Sequence, residues 1–372
     1  MEGLVAGRLR GGLFKQTTHK PSGIASWLLR NGAAREQMSL YFTGACCDHD
    51  FRLLWFCWSR PWAGTAAAGR MLGLADLEAG ALRHFADHPF SDGGLAALPD
   101  SGEAIWCSGP DVWQRGPDPA TRPRRLGGLP HAMVHRRQLR RLATQPTRSA
   151  DGTRMLLDSQ IGARCYLGTL EIATGGYEVV FCGTQPFNHA QFSPTDPCLA
   201  LVVREDEVDP TTGASTPYDH RIFLWHGEQG LMPFGPPGRQ VGHETWAADG
   251  QAIWAVDFRR GVLRLPLSGP PELVWPGFGW HAHASACGRY VVADHRLSER
   301  RGGPAWVVAF LNRVTGRSVE IARMPIPEED RLHRHPHPRF GARDRVITYT
   351  SMIRGVADVA VVDVAELLAA TA

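Results

Sequence analysis

The sequence predicts an all-β fold, a seven-bladed β-propeller that takes up residues 1–372 as a single domain. Three observations carry this prediction. Short β-rich runs, each opened by a turn, recur seven times at spacings of about 40–55 residues, the range of propeller blades. Most of these runs are followed by a second strand signal and a further turn, which is the grammar of a four-stranded antiparallel blade. Helical periodicity is weak almost everywhere.

Taken in order, the units begin at "CCDHDFRLLWFCW" from Cys46, "LPDSGEAIWCS" from Leu98 and "SADGTRMLLDS" from Ser149. They continue with "FSPTDPCLALVV" from Phe192, "WAADGQAIWAVDF" from Trp246, "ASACGRYVVADH" from Ala284 and "PRFGARDRVITYTS" from Pro338. The second strands are "GRMLGLADLEAG", "CYLGTLEIATGG", "HRIFLWHGEQG", "GVLRLPLSGP", "AWVVAFLNRVTGR" and "VADVAVVDV". The one helical pattern is "PHAMVHRRQLRRLATQ", in which Arg136, Arg137, Arg140 and Arg141 form a basic patch on a solvated excursion.

Bulk properties narrow the function. The chain has 372 residues, 43% of them hydrophobic, enough for a large core. A net charge of +3 with 21% charged residues is no nucleic-acid signature, although it does not oppose an anionic substrate. The first residues, "MEGLVAGRLRGGLFKQTTHK", hold no apolar run of signal-peptide length, and nothing later reaches membrane-spanning length. A cytoplasmic protein with neither a membrane nor a nucleic-acid partner is therefore expected. The eight cysteines show no CxxC spacing and are expected to be reduced and mostly buried.

The histidines fall into register. His189 in "HAQFSPTD", His243 in "HETWAADG", His281 in "HAHASACG" and His337 in "HPHPRFGARD" each lie a few residues before the first turn of a unit. The innermost strands of a propeller line its channel, so equivalent positions in neighbouring blades converge on the axis. In "RLHRHPHPRF", Pro336 and Pro338 force an extended backbone. His335 and His337 then project to the same side.

Three imidazoles, from His281, His335 and His337, suit a metal with open coordination positions, the pattern of catalytic rather than structural sites. His243, flanked by Glu244 and Trp246 with no second histidine beside it, is left as a metal-free general base with an ordinary pKa near neutrality. Arg221 in "YDHRIFLW" is either a surface ion pair or a fixed cation that steadies developing negative charge.

Together these segments resemble the oligogalacturonate lyases, seven-bladed propeller enzymes of bacterial pectin catabolism. The resemblance runs from "YFTGACCDHDFRLLW" to "VADVAVVDV" and is strongest after residue 185. "HAQFSPTDP", "DHRIFLW", "GHETWAADGQAIW", the His281 segment and "HPHPRF…VITYTS" carry it. It implies that His281, His335 and His337 bind a divalent ion, manganese in the family, that His243 is the base and that Arg221 is its catalytic companion. It also implies that His189, Glu205 and Arg204 line the substrate cleft. Two positions depart from the family pattern. Leu332 stands where the family has a glutamine ligand, which leaves water, His333 or His283 to complete the metal shell, and Arg204 replaces a histidine.

The implied reaction is β-elimination on a 4-linked uronic acid oligosaccharide. His243 removes the C5 proton, the ion acts as a Lewis acid on the C6 carboxylate, and a 4,5-unsaturated product leaves. The altered ligand set extends the expected substrates to other uronic acid glycans. A propeller that binds ligands without catalysis is the alternative, and a metal-dependent hydrolase or isomerase is a third reading.

Overall fold

The structure is a computed structural model, described for residues 2–32, 36–60, 69–87, 89–90, 94–209, 211–216, 218–238, 241–297, 304–327 and 333–372. Seven antiparallel sheets follow one another along the chain as blades 1 to 7. Blade 1 runs from Glu36–Met38 to Ala81–His84, blade 2 from Leu95–Leu98 to Arg124–Gly128, and blade 3 from Leu139–Arg141 to Tyr177–Gly183. Blade 4 runs from Phe187–Phe192 to Leu231–Phe234, blade 5 from Val241–Trp246 to Glu272–Pro276, and blade 6 from His281–Ala284 to Arg317–Pro325. Each of the seven units expected from the sequence is one of these blades.

Blade 7 closes the ring. Its inner strands, Arg339–Gly341, Val346–Ser351 and Asp358–Asp363, come from the end of the chain, and its outer strands, Ala25–Leu29 and Phe14–Thr18, from the beginning. Trp27 and Leu28 pair with Val361 and Ala360, so a sheet joins residues over 300 positions apart and leaves no open seam. The basic excursion is barely helical. Only His131–Val134 form one turn, with no side-chain cap.

The strands bury large aromatics between sheets: Trp55, Trp106, Trp254 and Trp306 are all less than 3% exposed. Replacing any of them by alanine would cost about 3–5 kcal/mol. The turns that follow the inner strands are tight where neighbouring blades meet. Gly250 in "AADG" has φ +67° and lies so close to Thr195 that a Cβ would stand 2.1 Å from its Oγ1.

Two inner strands are interrupted, and both interruptions shape the channel. In blade 1 the pairing stops after Met38 and resumes as a single bridge at Cys47, which frees Tyr41 and Phe42 to turn inward. In blade 3, Leu139–Arg141 and Thr147–Arg148 pair separately with Arg154–Ile161, and Thr144 and Gln145 lie between them.

Candidate metal centre

The inner strands of blades 4, 5 and 6 carry His189, His243 and His281, and His337 lies just before the inner strand of blade 7, at the same end of the channel. Three of these residues adopt a left-handed backbone that histidine seldom takes: φ is 49° at His189, 54° at His243 and 47° at His337. At His189 and His243 the ladder also slips, between Asn188 and Gln191 and between Gly242 and Thr245. Such bulges re-aim a side chain out of the pleat, at a cost of about 1–3 kcal/mol for each left-handed residue. His281 needs no bulge, because it pairs regularly with Asp294.

His281, His335 and His337 offer ligand nitrogens that all lie within 4.8 Å of one another and could hold a metal ion. The extended backbone expected from Pro336 and Pro338 breaks at His337, whose φ is 47°, and the ring centres of His335 and His337 are 5.6 Å apart. Burial, helped by the neighbouring imidazoles, holds His281 and His337 well below the usual histidine pKa. Both rings are therefore neutral, as ligands must be.

Asp294 fixes the ligands. It is fully buried and accepts from the His281 amide at 2.7 Å, from the His281 Nδ1 at 2.9 Å and from the His337 amide at 3.2 Å. With Nδ1 of His281 turned to the carboxylate, Nε2 presents its lone pair to the centre. The Nε2 atoms of His281 and His337 are buried with no protein partner among the described residues. An orphaned, neutral imidazole pair beside His335 fits a divalent transition ion.

Of the two histidines left to complete the shell, His333 is close, its ring 4.0 Å from that of His335. His283 packs against Phe340 at 6.1 Å, further along the channel. Leu332 lies outside the described residues.

His243 stands beside the triad but is not in it. Its ring centre is 4.1 Å from that of His281, and its Nδ1 is hydrogen-bonded to the carbonyl of Trp280. That bond makes Nδ1 the donor and leaves Nε2 as the basic atom. Burial pushes its pKa down to about 3, which corrects the near-neutral value expected from sequence.

Arg221 is not a surface residue. It is 9% exposed, with Nε 2.8 Å from Oε1 of the fully buried Glu244 and Nη1 3.2 Å from Oε2 of Glu205. Tyr218 accepts a further bond at 3.3 Å. Burial disfavours the guanidinium charge, but the two carboxylates outweigh it and raise the pKa. The surface-pair alternative is thereby excluded.

His189 packs its ring 5.5 Å from Tyr41 and bonds Gln145 at 2.9 Å. Glu205 is tied to Asn188 at 3.1 Å as well as to Arg221. Arg204 joins this group through its backbone, donating its amide to the Arg221 carbonyl at 2.8 Å. Sequence reasoning gave no role to Asp294 or Glu244. Asp294 had a signal, a lone carboxylate inside the apolar run "YVVADH".

The fold and the site define a class: a seven-bladed propeller with a three-histidine centre at one end of its channel. No protein-family model and no curated protein sequence matches the chain. Solved structures do. An oligogalacturonate lyase in complex with manganese superposes with a TM-score of 0.74 at 17% identity, covering 94% of this chain and 96% of that one. The oligogalacturonate lyase of Vibrio parahaemolyticus gives the same score, identity and coverage. The β-propeller domain of Cps50 (Swd1) from Myceliophteria thermophila is more distant, with a TM-score of 0.52 and 11% identity over 90% of this chain and 97% of that one. The fold expected from the sequence is thus the fold of the oligogalacturonate lyases.

No described helix is long and apolar enough to cross a membrane.

Proposed function

We propose that this protein is a metal-dependent lyase that cleaves 4-linked uronic acid oligosaccharides by β-elimination, and that residues 1–372 work as one unit. The observation that carries the reading is the meeting of His281, His335 and His337, with a fourth, differently bonded histidine 4.1 Å from the triad. A solved structure of the same fold is an oligogalacturonate lyase holding manganese, which makes Mn2+ the first candidate metal here.

When bound, a divalent ion supplies charge neutralisation for the substrate's C6 carboxylate, which acidifies the C5 proton. The chain's own residues do the rest. Asp294 orients His281 and the His337 backbone, which fixes two of the three ligands in place. His243, held in one tautomer by Trp280, accepts the C5 proton on Nε2. Its depressed pKa is that of the empty site, and a carboxylate entering beside it favours the imidazolium.

The C4–O bond breaks as the C4–C5 double bond forms, and the leaving oxygen takes a proton from water. Arg221 is held by Glu244 and Glu205 as a fixed cation that limits the build-up of negative charge. His189, Glu205 and Arg204 belong to the substrate side of the site. Short acidic oligosaccharides, as in pectin breakdown, are the expected substrates, and a cytoplasmic location suits imported fragments.

The test is a panel of purified uronic acid oligosaccharides, incubated with Mn2+ and followed by the ultraviolet absorbance of a conjugated 4,5-unsaturated uronate. Growth of that signal on at least one substrate is expected. Its absence across the panel, with metal bound, would favour the non-catalytic binding module.

A further inference from the structure

The channel has a second end. Running on from the histidines, the innermost segments of these blades finish at a cavity of about 520 Å³, whose lining includes Cys46, Phe192, Trp246, His283, Arg339 and Phe340. Phe42 divides the two ends. Its fully buried ring lies 5.3 Å from that of His281, while its carbonyl accepts from Nη1 of Arg339 at 3.1 Å. The cavity therefore stands apart from the metal centre, with a cation at its floor.

Arg339 makes no ion pair among the described residues. Asp344, the carboxylate at the rim, is committed to the amide of Ala286 at 2.7 Å. The Nε of Arg339 and the Nδ1 of His283 are both buried with no partner among the described residues. Burying a guanidinium with an unmet donor is unfavourable unless an anion completes it. The Cys46 thiol lies in the same field, drawn down chiefly by its hydrogen bond with Cys47, but it is a weak acceptor.

The walls are apolar, built on Phe192, Trp246 and Phe340, and the volume falls within the range of small-molecule pockets. Ala342, Arg343 and Asp344 shape the rim with three consecutive left-handed residues, φ 51°, 57° and 62°. Arg343 is exposed there and adds a second positive charge for attracting anions.

We propose that this cavity is a binding site for a small organic carboxylate with a flat apolar body, the carboxylate on Arg339 and the body between the aromatic walls. The site is independent of the lyase reading, because Phe42 separates it from the centre formed by His281, His335 and His337.

Isothermal titration of the full chain with benzoate, its neutral isostere benzamide and inorganic phosphate tests it. Benzoate should bind at least about tenfold more tightly than benzamide, as expected for a hydrogen bond to a charged partner. Arg339→Met should abolish that preference. Because Arg339→Met also removes a bond to Phe42, a second variant is needed. Ala248→Trp alters only an exposed residue of the rim and should block benzoate entry without touching the histidine end. Benzoate binding unchanged in Ala248→Trp, equal affinity for benzamide, or tighter binding of phosphate than benzoate would each overturn the assignment.

Discussion

Replacing Asp294 by asparagine removes one charge from the metal-loaded centre while keeping the shape of the side chain. In the wild type its two oxygens serve three donors, the amides of His281 and His337 and the Nδ1 of His281, at 2.7, 3.2 and 2.9 Å. Asparagine has a single acceptor oxygen, so its amide nitrogen must face at least one of those donors. His281 or the backbone of His337 then loses its orientation. Loss of such a partner lowers metal affinity by about 10–100-fold, or about 1.4–2.7 kcal/mol.

The stability effect has the opposite sign. Burial lifts the Asp294 carboxyl from 3.8 to about 8, so the folded, metal-stripped protein holds a proton that the unfolded chain releases. This contribution is fully present below the unfolded pKa and is lost as pH rises towards 8, by at most about 1.4 kcal/mol per pH unit. Asparagine carries no such proton. The wild type should therefore lose stability relative to Asp294→Asn as pH rises. Competition with a fluorescent chelator reads the affinity, and urea melts of stripped protein at acid and alkaline pH read the stability difference. Wild-type metal affinity in the variant, or a stability difference independent of pH, would refute the reasoning.

Glu244→Gln should destabilise the protein by about 3–5 kcal/mol, because it leaves Arg221 buried with only the half-exposed Glu205 as counter-charge. An unchanged urea midpoint would contradict this. Deleting residues 1–30 strips blade 7 of its two outer strands and bares the edge of Asp358–Asp363, where Val359 and Val361 are fully buried. The cooperative thermal transition should disappear, and a near-native melting temperature would count against ring closure by these strands. The pH profile of kcat/KM reports the free enzyme. With His243 pushed down to about 3, it should show no rise from this ring near the ordinary histidine pKa of 6.5. A clear rise there would assign the base to another group.

Much of this was visible in the sequence. The turn-and-strand repeats locate all seven blades because strand period and turn chemistry are local properties. The register of His189, His243, His281 and His337 followed from aligning those turns, since equivalent inner-strand positions share one channel. The closing strands were not visible. "FKQTT" has no alternating pattern, and its sheet is completed by residues near the other end of the chain.

The backbone strain at His189, His243 and His337 was equally hidden, because histidine gives no local cue for a left-handed position. "PHAMVHRRQLRRLATQ" suggested a helix but forms one turn, because Leu139–Arg141 pair as a strand with blade 3 and leave too few residues to sustain a helix. The depressed pKa of His243 is a tertiary effect of burial. So is the burial of Arg221, whose partner Glu244 lies a blade away.

The most direct test of the account is to measure turnover and metal content on the same preparation of His243→Ala. His243 bonds Trp280 and stands outside the ligand triad, so the variant should keep its metal at the wild-type level. Its elimination rate on a competent uronic acid oligosaccharide should fall by about 10²–10⁴-fold, the loss of a positioned general base. Near-normal elimination in His243→Ala, or loss of the metal together with activity, would contradict the account.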